Sequence, residues 1–461
     1  MTHDVLSFTF GHAKTYSFFP LSTSLHIEME APNAESLYAE LNGMSKKRLS
    51  DPKVEEIETI PSLSQNVDDF PDGGLRACIV LVGTFSCFFA TFGYVNSWGV
   101  FQAYYQQKLL RHSTPSEMCV VHAMIFIPSV FVGRLFDIGF FRIPFTAGTI
   151  LIVVATFLIP QCKVYWHFML CQGFGIGVGS GLMFCALVSI VTHWWKRKRG
   201  LALGITTCGG ALGATIFPVI IRQLITKIGF PWAMRALGFI LSFILFIGNA
   251  CVARRLSPVK APGGLFGLHV FRNSIFTVFF ASTIILFLGQ FTMLTYITSS
   301  AIEFGISPNF AFYLVSVVNF SSGIGRVVCG SLGDRFGAMN VIIIMSVFTG
   351  ITTLAWPFCR TVATTTIISV LYGFSSGAWI ALIGSVIGQM GGIEDIGRRF
   401  GAINAAAGLG TLCGPPLSGL FQRSSLGYKA VGYFAGSAIL VGTGLTLVSR
   451  LLAVRGFWRK Y

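Results

Sequence analysis

Arg326 is the residue whose type and position are best suited to bind a ligand. It lies in NFSSGIGRVVCG, with apolar residues before and after it. In a membrane-spanning helix a cation costs about 2.5–3.5 kcal/mol even on the milder scale, so it is expected to face a water-filled cavity or a partner. In a cavity its guanidinium would bind an anionic group such as a carboxylate. A structural pair with Asp334, two helical turns further on, and a side chain that extends to the cytosolic surface stay open as alternatives.

Polar side chains in the apolar stretches are candidates to line the same cavity. Ser322 lies one helical turn before Arg326. Asn96 and Asn319 carry amides that would hydrogen-bond a ligand, and bonds between neighbouring helices are an equally good interpretation of both. These four residues are the predicted substrate-binding set.

Weaker candidates are the side chains of Gln290, Tyr296 and Trp379, which could contact a planar ligand, and His122, which could carry a proton near neutral pH. Packing is the favoured interpretation of all four. The glycine-rich GFGIGVGSG at 173–181 lacks the Lys-Ser/Thr of a phosphate-binding loop. No catalytic constellation accompanies it. We therefore predict a protein that is not an enzyme and that holds no metal or cofactor.

A second pattern occurs twice, as GRLFDIGF from residue 133 and as GSLGDRFG from residue 330. A carboxylate at the end of an apolar stretch can meet the positive N-terminal end of a neighbouring helix, and glycines let helices approach closely. One copy would be explained by a turn that sets topology, whereas two copies favour a gate on the cytosolic side. The gating candidates are Gly133, Arg134 and Asp137 in the first copy and Gly330, Asp334 and Arg335 in the second.

The composition predicts an all-α membrane protein. Hydrophobic residues make up 53% and charged residues 11%, against about 25% charged in a soluble domain. The net charge of +15 is spread over the ends of apolar segments, where basic residues set topology and meet anionic lipid head groups. This distribution argues against nucleic acid as a partner. The 11 cysteines form no CxxC pair and are interpreted as apolar fillers.

Twelve apolar runs are long enough to be considered membrane spans, each of which needs about 20 residues. The second run is the weakest, because it is short and contains His122 and Pro128; either the helix is tilted less or the gene model has lost a piece. The runs cover about 76–98, 119–136, 143–161, 165–192, 200–221, 233–253, 273–298, 310–332, 338–357, 363–389, 399–421 and 428–452.

The distribution of Lys and Arg places both termini in the cytosol, since the loops after even-numbered spans are the more basic, KRKR at 196–199 among them. With this topology the repeated loop ends the second span of each six-span half, which is typical of two parallel repeats. The predicted organisation is a disordered cytosolic tail (1–71, with Met29 as a possible alternative start), an N-terminal half (72–253), a linker (254–272), a C-terminal half (273–453) and a short cytosolic tail (454–461).

The twelve-span layout with Gly-x-Leu-x-Asp-Arg-x-Gly after spans two and eight resembles the major facilitator superfamily. The first copy departs from that pattern at Ile138, where a basic residue is usual, which suggests a weaker first contact. PDGGLRACIVLVGTF at 71–85 and KRKRGLALGITTCGGALG at 196–213 resemble the two signatures of the monocarboxylate porter family. FGYVNSWGVFQAYY at 92–105 and RRFGAINAAAGLGTLCGPPLSGL at 398–420 are similar to its fungal branch.

The resemblance implies a secondary transporter of a small organic solute that works by alternating access, with Arg326 as the substrate-binding residue. Animal lactate porters carry an Asp where Ser322 stands and a Lys where Asn96 stands, and those groups are implied in proton coupling. Their absence argues against lactate–proton symport. A monocarboxylate or related compound is the expected substrate, possibly with a proton, and riboflavin or a secondary metabolite is the alternative. The plasma membrane is the implied location, the need for an accessory chain is undecided, and a non-transporting sensor is the less favoured function.

Overall fold

The computed structural model describes residues 6–9, 15–18, 72–97, 101, 104, 125–126, 128–255, 268–391 and 395–454. The chain divides into two units, residues 1–69 and 70–461. In the first unit, strands β1 (Leu6–Thr9) and β2 (Thr15–Phe18) pair antiparallel, with Leu6 opposite Phe18. The expectation of a disordered tail did not include this hairpin, whose strands are rich in β-branched and aromatic residues. Met29 and the rest of the predicted tail up to residue 71 lie outside the described residues.

The described part of the second unit contains twelve helices, one for each predicted span. They are α1 (Leu75–Asn96), α2 (Ser129–Asp137), α3 (Arg142–Leu158), α4 (Tyr165–Phe168, the π-helical Met169–Ile176 and Gly177–Trp194), α5 (Arg199–Ile228), α6 (Phe230–Cys251), α7 (Ser274–Gln290 and Thr292–Glu303), α8 (Pro308–Phe336), α9 (Ala338–Ala355), α10 (Val362–Gln389), α11 (Ile396–Gln422) and α12 (Tyr428–Ala453). Short 3-10 helices cover Ile159–Gln161, Leu268–Arg272 and Trp356–Phe358.

Ten of these helices are long and apolar enough to cross a membrane, and the other two are α2 and α11. Only nine residues of α2 belong to its described helix. His122 and the proposed shortness of the second span fall outside the described residues. The many exposed large apolar side chains, such as Phe243 and Phe246 on α6, are those expected where lipid is the solvent.

The helix ends follow the local sequence. Ser307 caps α8, where its side chain accepts a hydrogen bond from the backbone N–H of Phe310, and Pro308 occupies the first turn. Thr361 forms a capping box with Thr364 at the start of α10. These caps set where the helices of the second half begin.

Close packing within the first six-helix set, α1–α6, and between it and the second set, α7–α12, depends on glycine. Helix α5 packs along both α1 and α8. A Cβ atom on Gly213 would lie 2.3 Å from the carbonyl oxygen of Phe89 in α1, and one on Gly204 would lie 2.4 Å from that of Arg326 in α8. Helix backbones this close leave no room for a side chain, so the glycine-rich sequence of α5 is a packing requirement.

Candidate functional site

A cavity of about 50 Å³ lies between the two sets of helices. Its lining includes all four residues of the predicted substrate-binding set, Asn96 from α1 and Asn319, Ser322 and Arg326 from α8. Pockets for drug-sized ligands measure about 300–1,000 Å³, so this conformation holds a few water molecules and is constricted for an organic solute. The helices must separate before a larger compound enters.

Arg326 is buried, with 6% of its surface exposed. Its Nη1 atom donates a hydrogen bond to the backbone carbonyl of Thr207 in α5, at 2.5 Å. Its Nε atom is buried and has no partner among the described residues. No carboxylate of the described chain, Asp334 included, lies within 4.0 Å of the guanidinium. The side chain therefore points into the interface between α8 and α5, and the ion pair with Asp334 that the sequence left open is not formed.

The other three predicted residues keep part of their hydrogen-bonding capacity unused. The amide nitrogen of Asn319 donates to the carbonyl of Val315 at 2.9 Å, and that of Asn96 donates to the carbonyl of Phe92 at 2.8 Å. Both bonds stay within one helix, so neither amide makes the bond between helices that was the alternative interpretation. Asn319, Ser322 and Arg326 follow one another at helical spacing and share one face of α8.

The weaker candidates divide between the cavity and its surroundings. Gln290 and Trp379 line the cavity. Tyr296 does not, since its hydroxyl donates to the carbonyl of Pro415 at 3.0 Å. The sequence analysis missed Tyr372, another lining residue, whose hydroxyl donates to the carbonyl of Gln290 at the point where α7 is interrupted. A polar residue midway along an apolar span was the signal available for it.

The carboxylate of the first repeated loop meets a helix end of the opposite set. Asp137, at the end of α2, accepts hydrogen bonds from the backbone N–H groups of Gly397 and Arg398 in the first turn of α11, both at 3.0 Å. First-turn N–H groups have no partner within their own helix and carry the positive end of its dipole. The contact is therefore a charged cap that joins α2 to α11.

The second loop repeats this contact with the two sets exchanged. Asp334 of α8 accepts hydrogen bonds from the N–H groups of Gly200 and Leu201 in the first turn of α5, at 2.7 and 2.9 Å. The same number of residues separates Asp137 from Asp334 as separates Gly397 from Gly200. We call the two Asp contacts together the latch, and the first of them makes its two bonds despite Ile138.

Glycines bring the helices of the latch together. A Cβ atom on Gly133 would lie 2.1 Å from the carbonyl oxygen of Gly397, and one on Gly330 would lie 2.4 Å from that of Gly200. Each loop thus presents a glycine and, one helical turn later, an aspartate to the same facing helix end. Any side chain at these glycines would push the helix end away from the carboxylate.

The basic residues of the loops have different environments. Arg134 is buried and Arg335 is exposed, with its guanidinium 5.3 Å from the Phe336 ring. Beside the first loop, the Arg254 guanidinium donates to the carbonyls of Phe136 and Asp137, which end α2. Burial lowers the pKa of Arg254 and the neighbouring Asp137 opposes that shift. A cation from the segment after α6 therefore caps α2, which the sequence did not indicate.

A third carboxylate reaches the loop before α5. Asp72, which precedes α1 in the PDGG stretch, accepts hydrogen bonds from the N–H groups of Lys196 and Arg197 at 2.7 and 2.8 Å and approaches that of Lys198 at 3.5 Å. Asp334 holds the N–H groups of Gly200 and Leu201, which follow after Arg199. The entry to α5 is therefore fixed by carboxylates from two different parts of the molecule.

Comparisons with known proteins agree with this architecture. The sequence profile of the Major Facilitator Superfamily matches residues 83–302 and 278–460. An MFS-type transporter of Ophiocordyceps sp. is 33% identical over 389 residues, which cover 83% of this chain and 87% of the relative. The aspyridones efflux protein of Emericella nidulans is 30% identical over 402 residues, 86% of this chain and 82% of the relative. The fujikurins efflux protein of Gibberella fujikuroi is 32% identical over 391 residues, 83% and 84%.

Solved structures share the fold at low sequence identity. FucP, a Major Facilitator Superfamily transporter in the outward conformation, superposes with a TM-score of 0.64 over 81% of this chain and 98% of that chain, at 13% identity. The human organic anion transporter MFSD10 gives a TM-score of 0.61 over 82% and 98%, at 14% identity. The predicted all-α fold of twelve helices is confirmed, whereas the finer assignment to monocarboxylate porters is not shown by relatives named for efflux of other compounds. The chain belongs to the Major Facilitator Superfamily and is a multi-pass membrane transporter.

Proposed function

We propose that this transporter exports a secondary metabolite with an anionic group from the cytosol by alternating access, at the plasma membrane and with both termini inside. The observation that carries the proposal is Arg326, a buried cation on the wall of a cavity between the two sets of helices. It has a buried nitrogen without a partner in the described chain, which an anionic group would satisfy. Efflux is the direction named for the aspyridones and fujikurins relatives.

The latch supplies the conformational part of the proposal. Asp137 and Asp334 each join one set of helices to the other at their cytosolic ends, so the cavity is closed toward the cytosol while both contacts hold. Opening toward the cytosol would break both and expose the Arg326 site to a metabolite made inside the cell. Ser322 would donate its hydroxyl to the same anionic group, and Asn96 and Asn319 would bind polar groups elsewhere on the compound.

A small monocarboxylate is the second candidate, because a single buried guanidinium beside a hydroxyl would also hold a lone carboxylate. Riboflavin would use the amides and the aromatic lining instead of the charge. The candidate substrates differ in whether their transport would require Arg326 and whether it would depend on the proton gradient. Transport measurements therefore separate them.

The test uses everted membrane vesicles from a host that lacks its own porters, in which export appears as uptake. Labelled acetate, riboflavin and 2-naphthoate are supplied at pH 5 and pH 7.5, with vesicles carrying Arg326→Ala in parallel. We expect uptake of 2-naphthoate that Arg326→Ala abolishes at unchanged protein level. Uptake of acetate alone would favour the monocarboxylate, and uptake of riboflavin indifferent to Arg326→Ala would favour the facilitator. No transport of any of the three, with gene expression altered by deletion of residues 1–65, would contradict the proposal in favour of a sensor.

A further inference from the structure

Nearly all the polar groups of the cavity lie on one wall, whereas aromatic rings lie on both. The wall formed by α1, α4 and the segment before α2 consists of aromatic and aliphatic residues, with Asn96 as its one polar side chain among the described lining residues. The nitrogen of that amide is bonded to the carbonyl of Phe92. The wall formed by α7–α12 carries the polar groups of Gln290, Asn319, Ser322, Arg326, Tyr372 and Ser376. A compound in this cavity meets rings and aliphatic groups on the first wall, and hydrogen-bonding groups together with the rings of Phe287, Phe291 and Trp379 on the second.

The rings form a connected set across the cavity. The ring centroids of Phe92 and Phe184 are 4.9 Å apart, and those of Phe126 and Phe184 are 5.9 Å apart. Phe126 continues the set to Phe287 at 6.3 Å, and Phe287 reaches Trp379 at 4.5 Å. These separations lie within the range in which aromatic rings attract one another. In the constricted conformation the rings therefore contact each other in the space that a substrate would enter.

Separation of the walls would break ring contacts that cross the cavity. An aliphatic chain in the gap would replace only the apolar area of those contacts. A flat conjugated ring system restores their offset-stacked or edge-to-face geometry as well, which adds to the energy of burial. Across the cavity from these rings, the Arg326 guanidinium has no carboxylate partner among the described residues. An anionic group on the compound would therefore pair with this one cation.

We propose that the cavity selects aromatic anions, with a flat ring system packed on Phe92, Phe126 and Phe184 and an anionic group bonded to Arg326 and Ser322. This proposal rests on the proposed function, since it names the substrate class of the same cavity. It assigns specificity to three phenylalanines of the first set of helices, and it predicts that aliphatic anions with a similar number of carbon atoms bind more weakly.

The test measures binding to the full-length chain in lipid nanodiscs by isothermal titration calorimetry, with three probes. The first, 2-naphthoate, has both the ring system and the charge; decanoate has the charge with an aliphatic chain; 2-naphthamide has the rings without the charge. We expect 2-naphthoate to bind at least about tenfold more tightly than either of the others. Equal affinity for 2-naphthoate and decanoate, or no binding of 2-naphthoate, would overturn the proposal.

A matched pair of variants assigns the effect to the wall. Phe184→Leu keeps the wall apolar but removes the ring, and we expect it to weaken 2-naphthoate binding about fivefold while leaving decanoate binding unchanged. Phe157→Leu removes a ring from a pair with Phe239, 5.1 Å away and outside the cavity, and should change neither. Equal loss for both probes in Phe184→Leu would overturn the proposal. Because binding is measured without transport, that result would leave the vesicle test of the proposed function unaffected.

Discussion

At the scale of single residues, Arg326 shows what chemistry alone could foresee. An arginine inside an apolar span is expected to face a cavity or a polar partner. The structure places it on the cavity wall with Ser322 and Asn319. Its neighbours across the cavity could not be foreseen in the same way. The chain has 44 phenylalanines, among them Phe92, Phe126 and Phe184. In a membrane protein an apolar residue can pack equally well against lipid, another helix or a substrate.

Substitution of Arg326 separates charge from geometry. Arg326→Lys keeps the cation but loses the planar fork that can bond the Thr207 carbonyl and an anion together. We expect affinity for 2-naphthoate to fall about tenfold in Arg326→Lys and at least about a hundredfold in Arg326→Ala, by titration calorimetry in nanodiscs. Thr366→Ala, a half-buried position of α10 outside the cavity lining, is the control and should bind normally. Wild-type affinity in Arg326→Ala would remove Arg326 from the site.

At the scale of helices, the latch depends on the pairing of a carboxylate with a helix N-terminus. The sequence predicted this type of contact from two copies of one loop. It could not name the partners, because the donors are backbone N–H groups at the starts of α11 and α5. Nor did it indicate Asp72, whose carboxylate accepts from the backbone N–H groups of residues 196–198. The amino-acid sequence does not show which backbone N–H groups will act as donors.

Neutralising the latch should open the cytosolic side. Cys185 is fully buried, with its Sγ atom 3.8 Å from the carbonyl of Gly397, so it reports on separation of α11. Asp137→Asn keeps the shape of the side chain and removes the charge, a change of about 1 kcal/mol at a helix N-terminus. We expect a maleimide to label Cys185 about fivefold faster in everted vesicles, read by peptide mass spectrometry. The exposed Cys78 serves as the internal reference, and an unchanged ratio between the two would contradict this role of Asp137.

Loss of the Asp72 cap should lower stability. Asp72→Ala removes the acceptor of at least two backbone N–H groups, and the loss of a comparable helix cap costs about 1 kcal/mol. We expect the Tm of the purified protein to fall by about 2 °C in a thiol-dye melt. Lys196→Ala retains its backbone N–H and serves as the control, with an unchanged Tm. A Tm for Asp72→Ala equal to that of the control would show that the cap contributes nothing measurable.

At the scale of the whole molecule, two sets of six helices enclose a cavity that is too small for a metabolite in this conformation. The spacing of apolar runs predicted the twelve helices, because each span must satisfy its backbone internally. It could not predict the cavity's volume or the placement of nearly all its polar groups on one wall, which depend on how the helices rotate against each other. We therefore expect transport to require a rearrangement that separates the helices and breaks the latch contacts.

Glycine-to-alanine substitutions in the latch should shift the balance of whole-molecule conformations. Gly330→Ala places a Cβ atom where 2.4 Å separates it from the Gly200 carbonyl, so the cytosolic ends cannot approach as in this structure. We expect spin labels on the cytosolic ends of α5 and α8 to give longer distances than in the wild type. Gly444→Ala, where a Cβ atom meets nothing within 4 Å, is the matched control. Identical distance distributions in all three proteins would contradict a closed state held by the latch.

The most direct measurement of the central claim, export of an organic anion through the Arg326 cavity, is counterflow in proteoliposomes. Vesicles containing the purified full-length chain are loaded with unlabelled 2-naphthoate and diluted into a trace of the labelled compound. The account predicts transient accumulation of label by the wild type, none by Arg326→Ala, and wild-type behaviour by Phe157→Leu. Accumulation by Arg326→Ala equal to that of the wild type would contradict the account.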